Sequence, residues 1–232
     1  MPIRKHTLSI DEYYHIYSRG VDKRAIFLED EDHKRFIKLL YLCNGSIPVD
    51  YRSYKNKSLN EIEVGEKLVA IGAYCLMPNH FHILIKEIHE NGTIKFMSKL
   101  LTAYSSYFNK KYERTGALFG SEFKSEHLDR DEYLKYLFSY IHLNPAKLKD
   151  PFWKESSSDR TELSNFVNKY PYSSHKEYLS HSVGEEGLIL NKEAFPLYFM
   201  DTNYENEVWE WLNYSQLTLP RPGLGKTGDN SI

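Results

Sequence analysis

The sequence predicts an α+β fold: a ferredoxin-like antiparallel sheet with helices on one face, followed by a mainly helical C-terminal extension. Short runs of aromatic and β-branched residues indicate strands, and apolar residues at steps of three and four indicate helices. These segments follow one another in the order β-α-β-β-α-β, and one further helix comes after them. That order is typical of a split βαβ unit, in which all four strands pair in one sheet.

Each element has its own signal in the sequence. Strands are predicted at 12–18, 67–76, 80–86 and 118–127. Helices are predicted at 30–42, 93–112 and 129–144. The first and third helices carry acidic residues in their first turn, which suits the positive end of the helix dipole, and Pro145 is expected to stop the third helix. Residues 44–66 are polar and rich in turn formers, so a long excursion is expected there.

Composition separates residues 1–149, the predicted main domain, from residues 150–232, the predicted extension. Residues 1–150 hold 23 lysines and arginines against 20 acidic residues, whereas residues 151–232 hold 7 against 12. A binding site for a polyanion is therefore expected in the first part. Residues 220–232 are rich in glycine and proline and are expected to form a disordered tail.

The sequence carries no signal for a membrane. Its mean hydropathy is −0.58, and no run approaches the roughly 18 apolar residues that span a bilayer. The N-terminal segment lacks an apolar signal region, so the cytoplasm is the expected location. The two cysteines, Cys43 and Cys75, have no spacing typical of a metal site or a disulfide framework, and both are expected to be buried.

A pair of histidines opens the third predicted strand. Because successive side chains of a strand point to opposite faces, His80 and His82 share one face, while Phe81, Ile83 and Ile85 share the other. Two imidazoles at this spacing can hold one metal ion or one anionic group. The pattern is short, however, and ordinary strand histidines would produce it equally well.

The third predicted helix carries Tyr140 and Asn144, which are one turn apart and therefore lie on one face. A tyrosine can act as a covalent nucleophile, but with an ordinary pKa near 10 it needs help. A metal ion that binds the target phosphate would supply this help, and the Asn144 amide oxygen could complete the metal shell. The alternative is simple packing, because Tyr133 and Tyr136 lie on the same helix.

Several motifs, in this order, carry a family resemblance. They are 14–20 (YHIYSRG), 77–82 (MPNHFH), 107–111 (YFNKK), 116–119 (GALF), 140–145 (YIHLNP) and, more weakly, 172–178 (YSSHKEY). Together they span roughly residues 13–180. With these motifs the chain resembles the REP-associated tyrosine transposases, which belong to the wider group of HUH single-strand transposases of the IS200-like kind.

The resemblance implies a metal-dependent endonuclease and strand transferase that acts on single-stranded DNA. It places the metal ligands at His80, His82 and Asn144, and the nucleophile at Tyr140. The tyrosine would form a 5′-phosphotyrosyl link and free a 3′-hydroxyl, with Mg²⁺ or Mn²⁺ as the cofactor. The implied substrate is a DNA hairpin of a repetitive palindromic sequence, bound by a monomer or a homodimer. Residues 1–149 would form the catalytic domain.

Predicted DNA contacts are basic residues of the first part of the chain: Arg19, Lys95, Lys99, Lys110, Lys111, Arg114 and Lys124. The open face of a ferredoxin-like sheet is a further platform for single strands. At 120–124 the chain reads GSEFK where relatives usually have QGRFK, so Glu122 replaces an arginine. Glu122 and the nearly neutral net charge of −2 keep open the alternative of a non-catalytic nucleic-acid-binding protein with the same fold. A third alternative is a metal phosphoesterase that uses water instead of tyrosine.

Overall fold

The computed structural model describes residues 7–120, 122–154, 160–179, 184–200 and 204–214. Its strands are β1 (Tyr13–Arg19), β2 (Val69–Met77), β3 (His80–Glu87) and β4 (Lys124–His127). Its α-helices are α1 (Asp30–Cys43), α2 (Tyr51–Tyr54), α3 (Gly92–Lys111), α4 (Asp131–Leu143), α5 (Ala146–Lys149), α6 (Arg160–Lys169), α7 (Lys176–Leu179) and α8 (Tyr204–Tyr214). Short 3-10 helices occur at Val21–Lys23, Leu59–Glu61, Glu185–Ile189, Lys192–Ala194 and Leu197–Met200.

The observed elements follow the predicted order, and most of their ends agree with the predicted ends within a few residues. The last strand is the main exception, because only Lys124–His127 pairs with β1. Phe119 instead pairs with Gly20 in a register displaced by two residues from the β4 ladder. Leu118, Phe119 and Phe123 are buried in the core, so this apolar segment packs instead of continuing the strand.

The four strands form one antiparallel sheet in the order β2-β3-β1-β4, as the ferredoxin-like prediction requires. The long helices α1 and α3 pack together on one face of this sheet. The strand side chains beneath them are buried apolar residues, among them Ile16, Tyr74, Phe81, Ile83 and Ile85. Burial of this face supplies the main hydrophobic stabilisation of the fold.

The opposite face is partly covered, which the sequence did not indicate. Helix α4 packs on it, against small and medium apolar side chains that include Ala73, Cys75, Met77 and Leu84. α4 ends at Leu143, as the proline at 145 predicts, and Pro145 itself takes a helical conformation directly before α5. A proline is tolerated there because the first turn of a helix needs no backbone N–H.

The C-terminal segment is fastened to the edge strand β2. The amide of Leu76 donates to the carbonyl of Tyr172 (2.9 Å), and the amide of Ser174 donates to the carbonyl of Tyr74 (3.0 Å). These bonds satisfy backbone groups that an edge strand would otherwise expose.

The domain boundary at 149 stays a prediction, and the predicted tail at 220–232 lies outside the described residues. Among the described helices, none is long and apolar enough to cross a membrane.

Candidate active site

The strand register brings three histidines to the face that α4 covers. On β3, His80 lies opposite Arg19 of β1, and His82 lies opposite Tyr17. On β1, His15 lies opposite Leu84 of β3. Side chains at directly opposed and diagonal positions of antiparallel strands are neighbours, so these rings gather in one place. The prediction that His80 and His82 share a face is confirmed by the burial of Phe81, Ile83 and Ile85 on the other side.

The two histidines of β3 are held differently. The ring centroids of His80 and His82 are 4.9 Å apart. Nδ1 of His80 is 2.6 Å from Oδ1 of Asn79, whose Nδ2 donates to the carbonyl of Lys23. Nδ1 of His82 is 2.8 Å from Nε2 of His15. Each ring is therefore fixed through its Nδ1, and for His82 the buried Nε2 has no hydrogen-bond partner within the described part of the chain.

Helix α4 adds a tyrosine to this cluster. The ring of Tyr140 meets the ring of His82 edge to face, with centroids 5.4 Å apart and an interplanar angle of 78°. Nζ of Lys147, just after α4, donates a hydrogen bond to the Tyr140 hydroxyl over 3.3 Å. Nζ of Lys154 is 5.7 Å from the centroid of the same ring. The Tyr140 side chain is partly exposed, its ring contacts His82, and two lysines lie close to it.

Asn144 follows Tyr140 by one turn at the C-terminal end of α4 and is only 1% exposed. Both polar atoms of its amide are buried without a hydrogen-bond partner among the residues described. Buried polar groups are normally satisfied, so an unpartnered amide oxygen and an unpartnered imidazole nitrogen each invite a ligand. A divalent cation accepts both kinds of donor.

The nitrogen and oxygen donors of these residues fit a metal ion. They are too few to fill its coordination shell with protein ligands alone. In the described residues, no group of three or more His, Cys, Asp and Glu side chains could hold a metal by itself. A metal at the histidine pair would have to take further oxygens from the Asn144 amide, from water or from a bound phosphate. Such a site stays open to a substrate.

Electrostatics keep both histidines neutral and favour an anion nearby. Burial lowers the pKa of His80 to about 3, and the positive charges of Arg19 and Lys147 act in the same direction. Burial also lowers the pKa of His82 well below its usual value, with further contributions from His80 and His15. Neutral rings keep the lone pairs that metal ligands need, and the local positive potential suits a phosphate.

The basic residues predicted to contact DNA fall into two groups. Arg19 lies opposite His80, and Lys124 lies opposite Tyr17 with its Nζ 5.8 Å from that ring, so both belong to the candidate site. The others lie on α3 or directly after it, and α3 packs on the opposite face of the sheet. They are Lys95, Lys99, Lys110, Lys111 and Arg114.

Two of the α3 lysines are engaged within the chain. Lys111 forms ion pairs with Glu29, Glu31 and Asp32. Lys99 donates to the carbonyls of Gly45 and Ile47. Sequence periodicity places these lysines on a polar helix face, but the acidic residues that meet Lys111 are some 80 positions away in the chain. Their DNA contacts stay predictions.

Other residues of the cluster had no role in the sequence prediction. His15 and Tyr17 belong to the 14–20 motif, and Lys147 comes three residues after Asn144. The alternation of His15 and Tyr17 with the buried Tyr14 and Ile16 was a usable signal, since it places both on the face opposite the one that α1 and α3 cover. The signal for Lys147 was weaker because the chain turns at Pro145.

Paired histidines on strand β3, facing a tyrosine on helix α4, define a candidate site for phosphate chemistry on a ferredoxin-like fold. The family model described as transposase IS200 like matches residues 51–144. That stretch contains His80, His82, Tyr140 and Asn144, and the match confirms the predicted resemblance to IS200-like transposases.

The chain is similar to a solved structure of a REP-associated tyrosine transposase bound to a REP hairpin. The sequence identity is 12%, the TM-score is 0.48, and the alignment covers 79% of this chain and 88% of that one. No curated protein sequence matches the chain.

Proposed function

We propose that this protein is a metal-dependent single-stranded DNA endonuclease and strand transferase of the transposase type, with Tyr140 as its nucleophile. The observation that carries the proposal is the edge-to-face contact between the rings of Tyr140 and His82, with centroids 5.4 Å apart. This contact joins residues from β3 and α4, 58 positions apart in the chain, and the partly exposed phenol stays accessible. The IS200-like match over 51–144 supports the same assignment.

His80, His82 and Asn144 are the proposed ligands of a divalent cation, Mg²⁺ or Mn²⁺. Such an ion, when bound, polarises a phosphate oxygen and neutralises developing charge. The unpartnered, buried Nε2 of His82 and Oδ1 of Asn144 are the observations that favour these ligands. Nitrogen donors with one amide oxygen suit Mn²⁺ somewhat better than Mg²⁺, which prefers oxygen alone.

The proposed reaction is a transesterification at a DNA phosphate. The Tyr140 oxygen forms a bond to phosphorus and gives up its proton, while the bond from phosphorus to the 3′-oxygen breaks and that oxygen takes up a proton. One phosphodiester replaces another, so no nucleotide cofactor is needed. Lys147 donates to the phenol oxygen in the free protein and is placed to stabilise negative charge there. Arg19, opposite His80, and Lys124 are the proposed contacts for the DNA backbone near the site.

The proposed substrate is a single-stranded hairpin of a repetitive palindromic sequence, on the basis of the motif resemblance. Residues 1–149 form the proposed catalytic domain, and the C-terminal extension fastened to β2 supports it from the sheet edge. Lys147 and Lys154 lie at the junction of the two parts, so the extension begins beside the candidate nucleophile.

A labelled hairpin oligonucleotide tests the proposal directly. After incubation with Mn²⁺ and denaturing electrophoresis, label at the 3′ end should remain on the protein, because the downstream fragment carries the phosphotyrosine. Label at the 5′ end should appear on a free fragment that ends in a 3′-hydroxyl. Tyr140→Phe should abolish the adduct.

Tyr133→Phe is the matched control, because Tyr133 lies on the same helix two turns earlier. This variant should form the adduct at the wild-type rate. An adduct that persists in Tyr140→Phe contradicts the assignment of the nucleophile. Binding of the hairpin by the wild-type protein without any adduct would instead identify a non-catalytic DNA-binding protein, and repeated turnover without an adduct would identify a phosphoesterase that uses water.

A further inference from the structure

One contact of the candidate site that the proposed reaction does not use joins two histidines. Nε2 of His15 and Nδ1 of His82 share a hydrogen bond of 2.8 Å, and the two rings stack with centroids 5.0 Å apart. Both side chains are buried, with exposed fractions of 3% and 6%. A neutral imidazole has one N–H and one lone pair, so the single hydrogen in this bond determines where the remaining lone pair of each ring points.

Two directions of this bond are possible, and they have opposite consequences. If His15 donates from Nε2, then His82 accepts at Nδ1 and carries its own hydrogen on Nε2, where it cannot bind a cation. If His82 donates from Nδ1, its Nε2 keeps a lone pair. That atom is the buried nitrogen without a hydrogen-bond partner in the described part of the structure.

Glu126 on β4 favours the second direction. It lies directly opposite His15 in the sheet, and its Oε2 is 4.0 Å from Nδ1 of His15. The hydroxyl of Tyr17 donates to Oε1 of the same carboxylate over 3.2 Å. A carboxylate only accepts hydrogen bonds, so it favours a hydrogen on Nδ1 of His15. The lone pair of His15 then lies on Nε2, where it accepts from His82.

The distance of 4.0 Å exceeds hydrogen-bond length, yet neither atom has another hydrogen-bond partner in the described part of the chain. Nδ1 of His15 and Oε2 of Glu126 are both buried and unsatisfied among the described residues. A shift of about 1 Å would join them in a hydrogen bond. The charge of the carboxylate orients the neutral N–H even before this shift, since electrostatic interactions are strong where water is excluded.

His80, the other histidine of β3, also has a hydrogen-bond acceptor at its Nδ1, but this acceptor is an amide oxygen. Asn79 donates from Nδ2 to the carbonyl of Lys23 over 3.0 Å, and this bond turns its Oδ1 toward Nδ1 of His80. An amide oxygen accepts, so His80 also keeps its lone pair on Nε2. Each histidine of β3 therefore has an acceptor at Nδ1, although the two acceptors are chemically different.

We propose that His15, oriented by Glu126, is a positioning residue that sets the tautomer of His82 and directs its Nε2 lone pair into the candidate site. The inference rests on the proposed function only in taking that nitrogen as a metal ligand. Metal-binding histidines commonly donate their other N–H to an acceptor that fixes the ring, and loss of such an acceptor typically weakens metal binding about 10- to 100-fold. Here a second imidazole takes the place of the usual carboxylate or carbonyl.

Nitrogen-15 NMR of the metal-free, wild-type protein provides the first test, because protonated and unprotonated ring nitrogens have distinct signals. We expect His82 to be protonated on Nδ1 and unprotonated on Nε2 at pH 7.5. His15 is expected to show the same tautomer. A hydrogen on Nε2 of His82 would overturn the inference without the use of any variant.

Mn²⁺ affinity, measured by electron paramagnetic resonance of the free ion, provides the second test. His15→Leu removes the acceptor and should weaken binding about 10- to 100-fold. His15→Gln places an amide oxygen near the former Nε2 and should recover most of the affinity. His33→Gln is the control, because His33 is a buried histidine of α1 on the other side of the sheet, and it should leave Mn²⁺ affinity unchanged.

The two proposals can fail separately. If the adduct at Tyr140 forms but folded His15→Leu binds Mn²⁺ as tightly as the wild type, this inference is wrong and the proposed function stands. If no adduct forms but His82 has the expected tautomer and His15→Leu loses affinity, the proposed function is wrong and this inference stands. Should His15→Leu fail to fold, the tautomer in the wild-type protein decides.

Discussion

Substitution of Lys111 tests the structure, because the sequence predicts that this lysine contacts DNA whereas the fold uses it in ion pairs. The side chain is 22% exposed and forms ion pairs with three carboxylates, those of Glu29, Glu31 and Asp32. It also donates to the Tyr107 hydroxyl over 2.9 Å. Burial lowers the pKa of Lys111, but these hydrogen bonds more than offset that effect and raise it overall. We expect Lys111→Met to destabilise the fold and to leave DNA binding by the folded protein unchanged.

The expected magnitude follows from the burial of the partners. Asp32 is fully buried, and removal of one member of a buried ion pair typically costs about 3–5 kcal/mol. The cost should be smaller here, because Asp32 also accepts from the Tyr107 and Tyr112 hydroxyls and from the amide of Leu28. Glu29 and Glu31 are exposed, and exposed pairs contribute about 0–1 kcal/mol each. We therefore expect a loss of about 2–3 kcal/mol.

Thermal and urea denaturation measure this loss. For a chain of this size, about 2–3 kcal/mol corresponds to a decrease in Tm of about 4–12 °C. Lys110→Met is the matched comparison, because Lys110 is the exposed neighbour of Lys111 on α3. This change should leave Tm within about 2 °C of the wild type, since substitutions at exposed positions usually change stability by no more than about 0.5 kcal/mol.

The salt dependence of DNA binding should distinguish the two lysines in the opposite way to the Tm, with an effect for Lys110 and none for Lys111. A lysine that neutralises a phosphate of a single strand contributes about 0.7 to the slope of log K against log salt concentration. Lys110→Met should reduce this slope if Lys110 contacts DNA, whereas Lys111→Met should not. A reduced slope in Lys111→Met together with an unchanged Tm would refute the reasoning.

Three other predictions concern the site and its support. Lys147→Met should slow formation of the Tyr140 adduct about 10-fold or more, because a charge-assisted hydrogen bond of about 1.5–3 kcal/mol is lost, and Lys147→Arg should recover most of the rate in the labelled-hairpin assay. Ser174→Ala should lower the free energy of unfolding by about 2–3 kcal/mol in urea titrations, because it leaves the Tyr74 amide and Nε2 of His142 without partners in the core; a change below 0.5 kcal/mol would contradict this. Burial lowers the pKa of His142, so as pH falls this histidine is protonated in the unfolded chain before it is protonated in the folded one. The free energy of unfolding should therefore decrease below pH 6.5, by up to about 1.4 kcal/mol per pH unit for each buried histidine whose pKa is lowered in this way. Urea titrations at pH 7.5, 6.0 and 5.0 that gave equal stabilities would contradict the neutral, buried state of these rings.

Element types were the part of the fold that sequence periodicity predicted best. The alternation along β3 placed His80 and His82 on one face and the apolar Phe81 and Ile83 on the other, and the core confirms it. Periodicity reports which side of an element is apolar, and that information is local. Periodicity therefore also predicted the ends of α1 and α3, and the observed ends agree with the predicted ones within one residue.

The length of β4 could not be read from the sequence. The sequence predicts one strand over residues 118–127, but Leu118, Phe119 and Phe123 bury their side chains in the core with those of α1 and α3. Only Lys124–His127 pairs continuously with β1. The choice between pairing and packing depends on the space that distant helices leave, and no local pattern reports that space.

By itself, the sequence determined the order of the elements, the face that carries the histidine pair, and the spacing of Tyr140 and Asn144 on one helix. These properties follow from the geometry of a single strand or a single helix. Only the tertiary structure decided that α4 packs on the histidine face and that His15 meets His82 across the β1–β3 ladder. It also decided that Lys111 is used in ion pairs with α1 and the residue before it. These contacts join residues far apart in the chain, and they arise from strand register and from the burial of opposite faces of one sheet.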